Sequence, residues 1–528
     1  MNVPEEFTYI PPVPPTPVVV KRQTFELRNS KTDVNMTGMR TFEFRINQRT
    51  FVDLKSFYLT FDLNLVFNHD TLQSAATGTD TAENFLQDIA THSFRLCADG
   101  NHLFREIVLR NESGTVIERI EDVSVLNEIY KSLFASPDHL DTHGQINDSS
   151  STNISSLQGY QKNGNISAFD RRLYANPTQL TTYNYPQKVV SPWKQNFDAA
   201  TKTAELSRKY HCSVLKLLGF FQTGKVVRPS TFGGLTIEFK MYEDPYQVLQ
   251  LNNIQGYQDA FTDIRLEDMR LIFDECIVDS AYEQYYNDNY DTRGFRLDIE
   301  TVDYTSQTFE GNTALQTLRV LKIPFSVSNA RALATVIRPG NVSKSSEYRN
   351  TTFLPPSLVE GSWRYQYVNM GGRYPLVPVD SFSSNIQEVN KFKRQTQTLT
   401  QDTMYTLANV TMPFHATSGT YTGAVNEYRN VGLGTGGRFM CFAHLERVLN
   451  SRYTGIPLDS NSLVLEVQYG NSLDNAAYNI QYLNAVAGNT GLNHEAEGWQ
   501  GANSYNISSY VLYTSSVYVM NGQVSVTK

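Results

Sequence analysis

Apolar residues along this chain recur at every second position far more often than at helical spacing. In TFEFRINQRTFVDLKSFYLTFDLNLV, Phe42, Phe44 and Ile46 alternate with polar neighbours, and Phe57, Leu59, Phe61, Leu63 and Leu65 do so again. A period of two puts one face in a core and the other in water, so both runs predict half-buried strands. LTIEFKM, DIRLEDMRLIFDECIV, TLRVLKIPFSV, SWRYQYV and SLVLEVQY repeat the habit. The C-terminal YVLYTSSVYVMNGQVSV predicts a hairpin turning at Asn521 and Gly522. Helical spacing is rare. EDVSVLNEIYKSLF predicts a helix capped by Asp122, with Leu126, Ile129, Tyr130 and Leu133 on one stripe. DSFSSNIQEVNKF offers a weaker stripe of Ile386, Val389 and Phe392.

These elements come twice, in the same order. LFREIVLRNESGTVIERI places two strand-like runs around Gly114, and SWRYQYVNMGGRYPLVPV places two around Gly371 and Gly372. Eight residues separate Gly114 from Asp122, and eight separate Gly372 from Asp380. Each half therefore reads as strand, glycine turn, strand, Asp-capped helix. Later, LTIEFKM follows the turn glycines Gly233 and Gly234, and LVLEVQY echoes it in the second half. The repeat predicts two similar β domains in tandem, joined around Tyr290 to Gly294. The expected boundaries are an extended Pro-rich N-terminal arm over 1–22, a first domain over 23–290 and a second over 291–528. A polar stretch over 137–209 is expected as a long loop insertion of the first domain. Thr417 to Gly437 is its shorter counterpart in the second.

Length and composition narrow the picture. With 528 residues the chain exceeds what one hydrophobic core supports. Aromatics reach 12%, as 31 Tyr and 29 Phe against 3 Trp, which favours pleated surfaces. A net charge of −8 argues against a protein that coats nucleic acid, and no sequence-specific nucleic-acid binding is expected. No run of 18 apolar residues predicts a membrane span, and the N-terminus lacks the basic start of a secretion signal. Cys97, Cys212, Cys276 and Cys441 lie far apart with no CxxC pair, and read as buried thiols of a protein folding in a reducing compartment, with a disulfide framework or a metal site as the weaker alternative. Pro11, Pro12, Pro14, Pro15 and Pro17 predict a polyproline-type arm, either an unstructured tail or a segment docking on a neighbouring subunit.

Four stretches resemble chemical motifs. GFFQTGK has the Gly219, Gly224, Lys225 spacing of a phosphate loop. Val226 stands where such a loop needs Ser or Thr, and extended chain follows instead of a helix, so a β connection is expected. GLGTGG at 432–437 matches a dinucleotide pattern but lacks a βαβ setting, and reads as a loop. PDHLDTH groups Asp138, His139, Asp141 and His143, which are either weak candidate cation ligands or a solvated polar loop. There is no GxSxG elbow; carboxylates such as Asp122 and Asp274 are conceivable as a glycosidase pair, though nothing in the sequence makes them converge. No catalytic residue and no cofactor are expected. Gly114, Asp122, Gly233, Gly234, Gly371, Gly372 and Asp380 are expected in structural roles.

GNHLFREIVLRNESGTVIERIEDVSVLNEIYKSL resembles a hairpin-and-helix segment of the major capsid proteins of polinton-like viruses, virophages and their relatives in the adenovirus-like lineage. LLGFFQTGKVVRPSTFGGLTIEFKM is similar to their late first-domain segment. SNARALATVIR and SWRYQYVNMGGRYPL are similar to the opening of their second domain, and YTGIPLDSNSLVLEVQY and NGQVSVTK to its last strands. The similarity spans about Arg40 to Lys528 and rests on the order of these stretches. It implies an all-β fold of two tandem eight-stranded jelly-roll sandwiches, a double jelly roll, with a few short helices in loops. It further implies a non-enzymatic virion protein that assembles as a pseudo-hexameric homotrimer into an icosahedral shell around double-stranded DNA. Neighbouring capsomers, penton and minor capsid proteins would be its partners. The rival expectations are a carbohydrate-binding or glycoside-acting β-sandwich protein and a minor penton or spike component.

Overall fold

The computed structural model describes residues 18–31, 34–75, 94–96, 100–134, 194–198, 201–251, 260–310, 318–339, 353, 363–381, 383–385, 387–389, 391, 439–447, 455–468 and 504–528. Strands dominate, and they form two sandwiches. In the first half, a sheet runs in the order Val226–Val227, Phe51–Asp53, Phe261–Val278, Tyr58–Asn68, Thr203–Cys212 and Lys194–Asp198. Val19–Arg28 and Val34–Asn35 pair on Phe261–Val278 and complete it. Opposite lies a four-stranded sheet ordered Thr41–Ile46, Leu235–Met241, Phe104–Asn111 and Val116–Glu121.

The second half repeats this arrangement. Phe295–Glu310, Ser504–Met520, Val327–Pro339 and Cys441–His444 form the larger sheet, with Ile456–Leu458 and Gln523–Thr527 added at its side. The smaller sheet is Leu318–Lys322, Val464–Gln468, Arg364–Asn369 and Gly372–Val379. The two echoes in the sequence thus occupy equivalent places. Leu235–Met241 and Val464–Gln468 are each second in a four-stranded sheet, and each pairs with the first strand of a hairpin that forms its edge. All these pairings are antiparallel. The chain has the double jelly-roll fold.

The alternation places the core as expected. Phe42, Phe44 and Ile46 are buried on the face that also carries Leu235, Ile237 and Phe239, and Phe42 stacks on Phe239 at 5.1 Å. Across the sandwich, Leu59, Phe61, Leu63 and Leu65 are equally buried, and Phe61 meets Phe104 edge-to-face at 6.0 Å. Truncating one of these rings to alanine removes both transfer energy and packing, a loss of about 3–5 kcal/mol. In the second sandwich, buried Trp363, Tyr365 and Tyr367 fill the same role. The tyrosines keep their hydroxyls satisfied, Tyr367 donating to Thr335 at 2.8 Å or the Cys441 carbonyl at 2.9 Å. Cys212, Cys276 and Cys441 are buried and joined by no disulfide among the described residues, and Cys97 lies outside them.

Residues 1–17 of the expected arm lie outside the described residues, and Val19 to Arg22 open a strand instead of closing the arm. That strand follows Phe261–Val278 from Arg28 opposite Arg270 to Val19 opposite Val278. Between the halves, Asp279 caps a short helix, Ser280–Tyr286, by accepting from the Ala281 amide. A π-helical turn, Asn287–Asp291, follows and leads to Gly294 at φ 77°.

Candidate functional site

The helix after the first hairpin runs Val123–Phe134, with Val125, Leu126, Ile129 and Leu133 buried. Asp122 precedes it in the left-handed region at φ 51°, and its carbonyl accepts from the Leu126 amide. Its carboxylate does not cap the first turn as expected. Oδ2 accepts from Tyr304 at 3.1 Å and pairs with Arg338 at 2.7 Å, while Oδ1 accepts from Tyr242. Tyr304 and Arg338 belong to the second sandwich, and Arg338 also donates to Ser508 at 2.6 Å. Burial alone would lower the Arg338 pKa, but Asp122 and the tyrosines at 304, 510 and 242 hold it above its ordinary value. Burial, then Asp122, pushes the Tyr242 and Tyr510 hydroxyls up. The carboxylate was expected to saturate orphan helix amides; a buried guanidinium from across the seam takes it instead.

A second carboxylate lies four residues earlier, on the strand Val116–Glu121 that leads to Asp122. Glu118 accepts from the amides of Gly219 at 2.8 Å and Phe220 at 2.9 Å, and from the Thr301 hydroxyl at 2.6 Å. Here the phosphate-loop look-alike finds its explanation. GFFQ forms a helical turn, Gly219–Gln222, the extended chain expected after Lys225 follows at Val226–Val227, and the first amides of the turn do hold an anion. The anion is a side chain of the same protein. Gly219 is required for closeness: a Cβ there would lie 1.9 Å from the Glu300 carbonyl oxygen of the second sandwich. Burial pushes the Glu118 carboxyl up to about 7, against the pull of Thr301, Phe220 and Gly219.

Two further contacts flank this seam. Gly233 (φ 75°) faces Gly522 of the C-terminal hairpin, and a Cβ on Gly233 would stand 2.8 Å from the Gly522 carbonyl oxygen. Gly234, at φ 89°, packs on Asn47 and Glu112. Arg228 donates to Asn287 and Glu283, each at 2.6 Å, and pairs with Asp291 at 3.3 Å. Its guanidinium lies over Phe51 and Tyr286, at 4.9 and 5.5 Å from their centroids. It clamps the connecting segment to the first sandwich.

The remaining expected positions fall as follows. Gly114 turns the first hairpin at φ 89°. In the second hairpin Met370 (φ 49°) and Gly371 (φ 78°) make the turn, and Gly372 is already the first strand residue, opposite Asn369. Two consecutive left-handed residues give the strand twist its matching turn, which moves the corner one residue earlier than expected. Asp380 is exposed; Ser381 caps the following helix, its Oγ accepting from the Ser384 amide at 3.2 Å. Asp274 pairs with Arg22 and accepts from Thr24. Asp138, His139, Asp141 and His143 lie outside the described residues, as do 432–437. Glu118, Arg228, Thr301, Tyr304 and Arg338 were not singled out in the sequence. Their signal was a charge set inside an apolar run, VIERI for Glu118 and LATVIRP for Arg338. Asp122 and Glu118 are buried with their oxygens committed to internal donors, so this cluster can lock two sandwiches together but offers no group to a substrate.

No family profile matches the sequence, and no curated protein matches it. Solved structures do. PBCV-1 VP54, fitted into a cryo-EM reconstruction of the virophage Sputnik, is similar at TM-score 0.50 and 9% identity, over 99% of this chain and 99% of that one. A chain in the cryo-EM structure of the Sputnik virophage is similar at TM-score 0.55 and 12% identity, over 100% of this chain and 91% of that one. At such identity the likeness is one of fold, and it extends through both sandwiches.

Proposed function

We propose that this chain is a major capsid protein that self-assembles as a pseudo-hexameric homotrimer and builds the icosahedral shell of a double-stranded DNA virus or virus-like element. The carrying observation is the joining of two like-ordered sandwiches by buried charge, with Arg338 and Thr301 of the second held by Asp122 and Glu118 of the first. Two fastened, similar units per chain, taken three times around an axis, approximate sixfold symmetry from a single gene product. Both similar chains are placed in reconstructions of a virophage, which supports reading this chain as part of a viral particle. The role is assembly without chemistry, within the virion after synthesis in a reducing host compartment.

The subunit contacts would use apolar residues that a monomer leaves wet. The smaller sheet of the second sandwich exposes Leu376 (84%) and Val377 (73%) on one edge strand, and Leu318 and Val320 on the other. Exposed apolar edges invite pairing and are covered in stable proteins. Neighbouring capsomers, penton and minor capsid proteins would contact the outer flanks of such a trimer. Among the described residues, no helix is long and apolar enough to cross a membrane.

Native mass by light scattering after size exclusion tests the reading. Three chains of 59.8 kDa give about 180 kDa. A stable species of that mass with a pseudo-hexagonal outline by electron microscopy supports it. A folded monomer that stays monomeric at high concentration and forms no shell overturns it.

A further inference from the structure

The smaller sheets of the two sandwiches hold equivalent strands in the same order, so their outer faces can be compared row by row. In the first sandwich, Glu43, Glu238 and Arg119 share one row, and Arg45 and Arg110 the next. Each of these arginines is answered. Arg110 pairs with Glu43 and Glu238 at 3.0 and 2.9 Å, Arg119 with Glu106 and Glu121 at 2.6 and 2.8 Å, and Arg45 with Glu43 at 2.7 Å. That face is self-sufficient in water. In the second sandwich the corresponding rows put Leu318 in line with Arg364, and Lys322 in line with Arg373. Lys322, Arg364 and Arg373 are exposed and have no ion-pair partner among the described residues. Exposed Val320 lies between the two rows, and exposed Leu376 and Val377 lie on the edge strand. One of two equivalent faces is thus apolar with unanswered positive charge.

A surface of opposite character covers the joint between the sandwiches. The stretch from Asp279 to Asp291 holds the carboxylates of Asp279, Glu283, Asp288 and Asp291 and no lysine or arginine. Arg228 takes Glu283 and Asp291, and exposed Asp288 has no ion-pair partner among the described residues. Tyr285, 54% exposed, has its ring centroid 6.3 Å from that of Tyr282 and 6.2 Å from that of Tyr290. The ladder is pinned from below, Tyr282 packing on Phe51 and Tyr290 on Phe295. Exposed Val18 continues the apolar surface, its carbonyl accepting from the Asp279 amide at 2.9 Å. Fixed tyrosine faces beside carboxylates make a seat for guanidinium groups, which stack on the rings and pair at the rim. Tyrosine and arginine are also the side chains that most often anchor protein interfaces.

We propose that the basic, apolar face of the second sandwich docks on the acidic tyrosine surface at the joint of a second copy of this chain. Within one chain these surfaces do not meet: Arg228 and Phe51 fix the joint to the first sandwich, and the three cations have no ion pair. Pairing of the basic face with its own kind about a twofold axis would set like charges against each other. A contact between two different surfaces runs head to tail, and repeated identically it closes into a ring. The inference rests on the self-assembly reading above and names the two surfaces that meet.

Two full-length variants, each spoiled on one surface, test this. Tyr285→Ser with Asp288→Lys alters the joint, and Arg364→Glu with Arg373→Glu alters the sheet face. All four side chains are exposed, so circular dichroism and unfolding midpoints should stay close to those of the parent. Each variant alone should run as a monomer of 59.8 kDa. Mixed in equal amounts, the intact joint of one can seat the intact face of the other once and no more, giving a pair of about 120 kDa and no larger ring. A mixture that stays monomeric, or a variant that assembles like the parent, overturns this pairing. A parent that is itself monomeric overturns the self-assembly reading and the pairing with it. Carbodiimide crosslinking of the parent gives a readout without substitutions. Lys322 should be joined to Asp288 or a neighbouring carboxylate, and peptides from mixed ¹⁴N and ¹⁵N chains should show that the link runs between chains. Links elsewhere in the assembly with none at Lys322 count against the proposal.

Discussion

Arg338 lies 2.7 Å from Asp122, a residue 216 positions earlier in the chain and in the other sandwich. Both side chains are nearly inaccessible, so neither ion can fall back on water if the other is lost. Removing one partner of such a pair typically costs about 3–5 kcal/mol, because a buried charge is left uncompensated. Asp122→Asn keeps a residue tolerant of left-handed backbone and removes only the charge. It should lower the thermal unfolding midpoint sharply, as should Arg338→Met. The double variant should recover part of the combined loss, and simple additivity of the two losses would show that the pair is not coupled.

Glu118 makes a prediction about pH. Its carboxyl titrates at about 7 in the folded protein, against an ordinary value of 4.5 once the chain unfolds. The folded state therefore binds the proton more tightly, so this group's contribution is fully present below about 4.5 and is lost as pH rises through 7. The span corresponds to about 3 kcal/mol. Glu118→Gln cannot ionise, so the fall in unfolding midpoint between pH 5 and pH 8 should shrink relative to the parent. An identical pH slope in both proteins would mean that Glu118 titrates normally despite its burial.

Much of the fold was legible in the sequence because strands and hairpins are written locally. Phe42, Phe44 and Ile46 announce their face by alternation, and Asn521 and Gly522 announce a turn by backbone tolerance. The tandem repeat was visible because equivalent strands bury equivalent residues. The seam was not legible. Asp122 has the look of a helix cap, and nothing nearby in the sequence tells that a guanidinium 216 residues away will take its carboxylate. GFFQTGK reads in the sequence as a β connection and not as a phosphate loop. That its amides would nonetheless hold an anion depends on Glu118 folding over them, a relation of about a hundred residues that no local pattern carries.

Two glycines separate steric need from backbone need. Gly219 has room for no Cβ, the Glu300 carbonyl oxygen being 1.9 Å from where it would sit, whereas Gly371 has nothing within 4 Å but a φ of 78°. Gly371→Ala should cost about 1–2 kcal/mol for the left-handed backbone and leave assembly intact. Gly219→Ala has to push two sandwiches apart and should cost more than the ~1–3 kcal/mol usual for overpacking. Soluble yield and unfolding midpoints rank the two; a milder Gly219→Ala would show that the seam yields easily.

The exposed edge of the second sandwich bears on assembly most directly. Leu376 and Val377 lie on the edge strand Gly372–Val379 where its register against Arg364–Asn369 shifts, and both are wet. An edge that leaves two neighbouring apolar groups in water gains from a neighbour that covers them. Leu376→Asp with Val377→Lys adds charges that discourage edge pairing and removes no contact in the core. The unfolding midpoint should therefore change by little. If the chain trimerises as proposed, the native mass should fall from about 180 kDa toward the 59.8 kDa of a single chain. A variant that still forms the larger species with unchanged stability would move the subunit contact away from this edge, leaving Leu318 and Val320 on the opposite strand as the next pair to charge.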